Sequence, residues 1–379
     1  MITLLDLPAQ HAPLRPALDA AVARVITEGA FIQGPDVAAF AAELSAYLGG
    51  AHVVPCANGT DALTLAFMAL DLQPGDEVIV PAFTYVATAE AAALLGLRVV
   101  GADVCPATFN LDAAAVAAVA TPRTRAVVPV HLFGQCADLA TLLPLAAQHG
   151  WAVVEDTAQA LGAEVESSGG ARSYAGTVGA IGTTSFFPSK NLGAFGDGGA
   201  LLTPDAALAT RLRELANHGQ PVGTRYRHER IGLNSRLDTL QAAILRVKLA
   251  HLAGWTARRQ TLAAYYDAAL RAVPGVRIPA RAPHSTHVFH QYVITVSNEA
   301  TRDGLRRYLA QRGIATAVYY PLPLHAQPAY GSLGRVGQFP VSEELCRTVV
   351  ALPIHPTLAA DDVAAVCAAI ADFCAAGGA

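Results

Sequence analysis

Lys190 stands in the run Thr184-Ser185-Phe186-Phe187-Pro188-Ser189-Lys190-Asn191-Leu192-Gly193, and Gly196-Asp197-Gly198-Gly199 follows closely. A short apolar strand leads there into a Ser/Pro turn that presents one lysine beside a glycine cluster. Apolar surroundings disfavour the charged form of an amine and so make it nucleophilic. A lysine of this kind suits a Schiff base with an aldehyde cofactor. Taken alone, it is more simply a surface lysine of a Gly-rich turn, and only its company changes that reading.

Asp156 ends an apolar strand and is followed by Thr157-Ala158-Gln159-Ala160. A carboxylate there can pair with a protonated pyridine nitrogen and keep that ring an electron sink. It can also simply cap a helix. Asn58-Gly59-Thr60 follows a short strand and opens a helix, whose free N–H groups and partial positive charge suit a phosphate. Many helices begin that way, so this signal is weak by itself. The hydroxyl of Ser185 could reach the same phosphate, or be an ordinary strand serine. Asn234 and Arg236, in Gly232-Leu233-Asn234-Ser235-Arg236-Leu237-Asp238, are donors suited to phosphate or carboxylate. They read alternatively as a cap and a surface arginine. Neither G-x-G-x-x-G after an early strand nor G-x-x-x-x-G-K-[ST] is present, which argues against dinucleotide and P-loop binding.

The elements that must position these groups alternate. Strands are expected at 53–56, 77–80, 98–104, 126–130 and 152–155. Helices are expected at 61–70, 85–95, 112–120 and 138–149. Apolar strands alternating with helices predict a mainly parallel sheet covered on both faces, with ligands beyond its carboxyl ends. Residues 165–180 read as a Gly/Ser-rich loop, and 205–217, 236–252 and 256–272 as helices. After Val273-Pro274-Gly275 the pattern changes: strand 288–296, helix 301–312, strand 314–318, a Pro-rich loop 321–328 and helix 361–375. The expected organisation is a large domain over 1–255 and a smaller C-terminal α+β domain over 256–379.

The 379 residues are 53% hydrophobic and 15% charged, which allows a large core. A net charge of −4 gives no reason to expect nucleic acid or an acidic membrane as partner. The six cysteines form neither a C-x-x-C pair nor a metal-ligand spacing, so no metal is expected and they read as buried thiols of a reducing cytoplasm. The first residues lack the basic and apolar regions of a signal peptide. The apolar run Ala89–Leu97, bounded by Glu90 and Arg98, is too short to span a membrane. A cytoplasmic protein is expected.

Together, Asn58-Gly59-Thr60, Pro81-Ala82-Phe83-Thr84-Tyr85, Glu155-Asp156-Thr157-Ala158-Gln159, Ser185 to Lys190, Gly196 to Gly199 and Gly232 to Asp238 form an ordered set. It resembles the DegT-type sugar aminotransferases, pyridoxal-phosphate enzymes of the aspartate-aminotransferase-like fold (fold type I). The resemblance covers nearly the whole chain. It implies a three-layer αβα large domain with a mainly parallel sheet, and pyridoxal 5′-phosphate as cofactor, passing through pyridoxamine 5′-phosphate. By resemblance, Lys190 carries the Schiff base and moves the proton, Asp156 pairs with the pyridinium nitrogen, and Gln159 contacts the ring hydroxyl side. Tyr85 stacks on the ring, while Gly59, Thr60 and Ser185 hold the phosphate. Asn234 reaches the phosphate, and Arg236 the substrate, of the neighbouring subunit, which implies a homodimer with shared sites.

Within the family, Cys56 to Leu63, Phe83 to Glu90, Gly134 to Asp138, His218-Gly219-Gln220, Arg225 to His228 and Tyr320-Pro321-Leu322-Pro323-Leu324 are most similar to UDP-2-acetamido-2-deoxy-3-oxo-glucuronate aminotransferases. Tyr319 departs from that pattern, where a histidine is expected. Tyr319, Tyr320 and His325 are the expected sugar contacts, with packing the alternative for the tyrosine pair. The activity implied is transfer of an amino group, from glutamate, to C3 of a UDP-2-acetamido-3-oxo-uronate. The alternatives are a dTDP- or UDP-linked 3-keto- or 4-keto-6-deoxysugar as acceptor, and a non-catalytic regulatory protein binding cofactor or sugar nucleotide. A sugar dehydratase is disfavoured, because relatives of that activity replace the lysine with histidine.

Overall fold

The computed structural model describes residues 1–166 and 172–378. Nine strands come first along the chain: β1 (His52–Cys56), β2 (Glu77–Pro81), β3 (Arg98–Ala102), β4 (Thr124–Val127), β5 (Ala152–Asp156), β6 (Glu164–Glu166), β7 (Arg172–Tyr174), β8 (Ile181–Ser185) and β9 (Gly199–Thr203). Seven of them form one sheet in the order β1-β9-β8-β5-β4-β2-β3. β9 runs against both its neighbours, and every other pairing is parallel.

The apolar runs explain why this sheet is an inner layer. Val78 and Val80 of β2 pack on one face, against residues of the helices Gly59–Ala69 and Ala87–Leu94. Ile79, between them, packs on the other face against Leu139, Leu142 and Ala146 of the helix Leu139–His149. Successive strand residues point to opposite faces, so only a sheet covered twice buries all three. Near β1, Val53 joins Phe40 and Leu44 of the helix Pro35–Tyr47 and Leu245 of the helix Thr239–Leu249. Side-chain caps start the covering helices: Asn58 accepts from Asp61 N, Asp138 from Thr141 N and Asp205 from Ala207 N.

A second core gathers Leu262 and Tyr266 of the helix Leu252–Leu270, Leu305 and Leu309 of Glu299–Gln311, and Val366 and Ile370 of Ala360–Phe373. These surround the antiparallel pair β10 (Tyr292–Thr295) and β11 (Val349–Leu352). Ile2 packs against this core, so the start of the chain meets its last third.

Several expectations fail in detail. No strand forms over 314–318; the chain there makes only the isolated bridges Ile314–Ile2 and Ala317–Ala351. Ala315 and Ala317 offer little side chain to bury, whereas Val349, Val350 and Leu352 of β11 are fully buried. The expected loop 165–180 lies partly outside the described residues, and its remainder includes the hairpin strand β7 and the end of β6. The helix expected over 236–252 begins at Thr239 and ends at Leu249, and the next starts at Leu252. Four α-helices, Leu7–His11, Arg15–Glu28, Pro35–Tyr47 and Pro340–Thr348, lie where none is expected.

Candidate active site

Loops at the carboxyl ends of β1, β2, β5 and β8, with the segment beyond β4, enclose a cavity of about 530 Å³. Gly59, Thr60, Tyr85, Asp156, Gln159, Ser185, Lys190, Tyr319 and Tyr320 all line it. The sheet order places the ends of β8 and β5 side by side, which brings Lys190 and Asp156 to one wall.

Lys190 sits in a closed turn after β8. Its N–H donates to Phe187 O at 2.8 Å, and Ala194 N donates to Phe186 O at 2.7 Å. Gly193 has no room for a side chain against the Pro188 carbonyl. Burial lowers the pKa of the Lys190 amine below the ordinary lysine value, and the opposing attraction of Asp156 is smaller. The neutral, nucleophilic form is thereby favoured.

Asp156 is 6% exposed. Its carboxylate accepts from Thr88 Oγ1 at 2.9 Å and from Ala158 N at 3.1 Å, which leaves acceptor capacity toward the cavity. Behind it, Glu155 is fully buried and points to the other face of β5. Glu155 accepts from His131 Nε2 at 2.9 Å, Gly176 N at 2.8 Å, Val178 N at 2.9 Å and Gly179 N at 2.6 Å. His131 Nδ1 accepts from Ala137 N, so Nε2 carries the proton given to Glu155. Burial would raise the Glu155 pKa; the donors, His131 foremost, outweigh it and lower it.

Gln159 is held from both ends: its Oε1 accepts from Phe133 N at 2.8 Å and its Nε2 donates to Tyr320 Oη at 3.1 Å. Burial raises the Tyr320 phenol well above its usual pKa, so it stays protonated. Tyr85 is 57% exposed, its ring 6.2 Å from that of Tyr320.

Three expected site residues lie outside this cavity. Asn234 is exposed on its loop, and Arg236 donates to Asn217 Oδ1 at 3.1 Å beside a separate cavity of about 730 Å³. His325 is buried against Phe339, 3.0 Å from Glu343 Oε1. Thr84, Thr88, Thr184 and His290 also line or support this cavity, and the sequence assigned them no role: the three threonines stand inside the motif stretches without being singled out, and His290 lies inside the expected strand 288–296. His290 is 8% exposed and follows Phe289, whose φ of 49° is left-handed; such strain concentrates at functional sites.

The residues present fit pyridoxal phosphate. The helix opening at Gly59 turns its first N–H groups toward the cavity end where Ser185 lies, and a Cβ on Gly59 would sit 2.8 Å from that of Ser185. Thr84 Oγ1, Thr184 Oγ1 and His290 Nδ1, all from cavity-lining residues, are buried without partners among the described residues. Among the described residues, no cluster of His, Cys, Asp or Glu could hold a metal ion.

The sequence profile of the DegT/DnrJ/EryC1/StrS aminotransferase family matches residues 14–371. The chain belongs to that family. It is an aminotransferase with the architecture the sequence predicted, a mainly parallel sheet between helices plus a smaller C-terminal α+β part. It is 44% identical, over 98% of its length and 99% of the relative's, to the UDP-2-acetamido-2-deoxy-3-oxo-D-glucuronate aminotransferase of Pseudomonas aeruginosa. It is 46% identical, over 96% of its length and 98% of the relative's, to the erythromycin biosynthesis sensory transduction protein EryC1 of Saccharopolyspora erythraea. The crystal structure of S. venezuelae DesV in complex with a ketimine intermediate superposes with a TM-score of 0.94 at 42% identity, covering 98% of both chains.

Proposed function

We propose that this aminotransferase moves an amino group from glutamate to C3 of a UDP-linked 2-acetamido-3-oxo-uronate, using pyridoxal phosphate. The reading rests on one observation: Lys190 and Asp156 converge in a single cavity on a chain 44% identical to an enzyme named for that substrate. Bound pyridoxal phosphate would supply an aldehyde for the amine and a ring that delocalises the electron pair left by a departing proton.

The chain's own groups divide the remaining work. Gly59, Thr60 and Ser185 would hold the phosphate and so fix the reacting carbon, which is a large part of the rate gain. Asp156 would accept the ring N–H. Lys190 Nζ, with its neutral form favoured, takes a proton from one carbon and returns it to another. Gln159, anchored by Phe133 and Tyr320, faces the ring's edge. Tyr319 and Tyr320 line the side open to the sugar.

In this reading the enzyme is a homodimer. Asn234 and Arg236 lie outside their own cavity and reach that of the second copy, Arg236 meeting the uronate carboxylate. The exposed apolar side chains Phe31, Ile32, Phe187 and Ile231 support such a contact.

A second reading, a regulatory protein that binds without turnover, takes support from the name of the Saccharopolyspora relative. One spectroscopic half-reaction separates the two. The protein, loaded with pyridoxal phosphate, is treated with glutamate until its visible band fades, and UDP-2-acetamido-3-oxo-glucuronate is added. Return of the band, with 2-oxoglutarate released in the first stage, is the expected result. Fading without return points to a dTDP- or UDP-linked keto-6-deoxysugar instead, and no fading supports the regulator.

A further inference from the structure

Of the chain's 26 lysines and arginines only two are lysines, Lys190 and Lys248. Everywhere else a cation is needed, arginine serves. Lys248 is 1% exposed, on the helix Thr239–Leu249, and it makes no ion pair among the described residues. A buried amine without a carboxylate is unfavourable unless its hydrogen bonds are worth having.

Among the described residues, its hydrogen-bond and cation–π partners belong to the turn that carries Lys190, and His11, whose ring packs 4.9 Å from that of Phe195, lies near enough to feel its charge. The Lys248 ammonium donates to Gly193 O, three residues beyond Lys190, and lies 5.4 Å from the centre of the Phe195 ring. Gln241, seven residues earlier and so on the same helix face, accepts from Phe195 N at 2.8 Å. A Cβ on Gly196 would come within 3.2 Å of Gln241 Nε2, so the turn lies directly against this side chain. Arginine could not replace Lys248: its planar guanidinium is larger and has donors that a single carbonyl leaves unpaired. Burial lowers the Lys248 pKa to about 8, in keeping with an amine retained for its geometry at an electrostatic cost.

We propose that Lys248 and Gln241 clamp the turn 190–196, making Lys248 a positioning residue for the Lys190 amine. The inference builds on the catalytic role of Lys190 but is tested apart from turnover. A chain with two lysines is well suited to this: full-length protein carrying 13Cε-lysine gives two side-chain signals, and Lys248→Met assigns them. The pKa of Lys190 is read from its signal in wild type, Lys248→Met and Gln241→Met, before cofactor is added. The same proteins, loaded with pyridoxal phosphate, are then assayed in the glutamate half-reaction.

The clamp predicts that the Lys190 pKa rises toward the ordinary value in both variants, because a released turn lets water reach the amine. Gln241→Met removes no charge, so a shift there reports displacement. A shift in Lys248→Met alone is a through-space charge effect and overturns the clamp, as does a shift in neither. In the half-reaction kcat should fall roughly 10- to 100-fold while KM stays nearly constant, the signature of a misplaced reacting group. If Lys248→Met fails to fold, Gln241→Met decides alone. If no protein reacts with glutamate, the aminotransferase reading fails while the titration still tests the clamp.

Discussion

The two faces of β5 carry neighbouring buried carboxylates with opposite characters. Glu155 is surrounded by four donors and has nothing left to offer. Asp156 has two and faces a cavity. Both are acidic, buried and at the same strand end, so residue type and burial do not tell them apart. What does is the count of donors against acceptor capacity: the saturated carboxylate holds the loop 176–179 in place, and the unsaturated one is free to hold a ligand.

That contrast can be broken by experiment. The largest effect belongs to the amine facing Asp156: Lys190→Ala should lower amine transfer at least about a thousandfold and abolish the visible band of the loaded protein. Normal turnover in that variant would falsify the assignment. Next, Asp156→Asn should lower kcat by about 10²–10³, with the melting temperature little changed. Glu155→Gln should do the reverse, since its amide would face backbone N–H groups that need an acceptor. It should lose about 3 kcal/mol of stability while the folded fraction keeps its kcat, as denaturant melts and active-site titration would reveal.

The same residue sharpens the comparison through pH. Because the folded-state pKa of Glu155 lies below its ordinary value of 4.5, its stabilisation is present above that pH and lost as pH falls through the folded value. Wild type should therefore destabilise more steeply than Glu155→Gln on acidification below pH 4.5. Equal slopes would mean that Glu155 is not the group titrating. Smallest of all, Tyr319→Phe should raise KM for the sugar about fivefold, the value of one hydrogen bond, and leave the glutamate half-reaction untouched.

Much of the site was legible in the chain. Asp156 and Ser185 each end a strand, Gly59 and Thr60 open a helix, and Lys190 lies in the turn just beyond β8; a parallel sheet gathers such ends on one edge. The roles of the threonines and His290 were not legible, because a polar residue inside a motif or an apolar run has the same pattern whether it faces a core or a cavity. Thr88 lies within a helix, yet it reaches Asp156 across 68 positions of sequence. The role of Lys248 also escaped the helix pattern, in which it falls on the buried side like a core residue.

Local rules accounted for the alternation of strand and helix, the caps at Asn58, Asp138 and Asp205, and the turn at Lys190. These follow from side chains acting on their own backbone within a few residues. Tertiary structure decided the rest: that β11 rather than 314–318 pairs with β10, that Glu155 is saturated while Asp156 is open, and that Lys248 grips the Lys190 turn. Each of these depends on which distant groups meet in space, and periodicity along one chain carries no record of its partners.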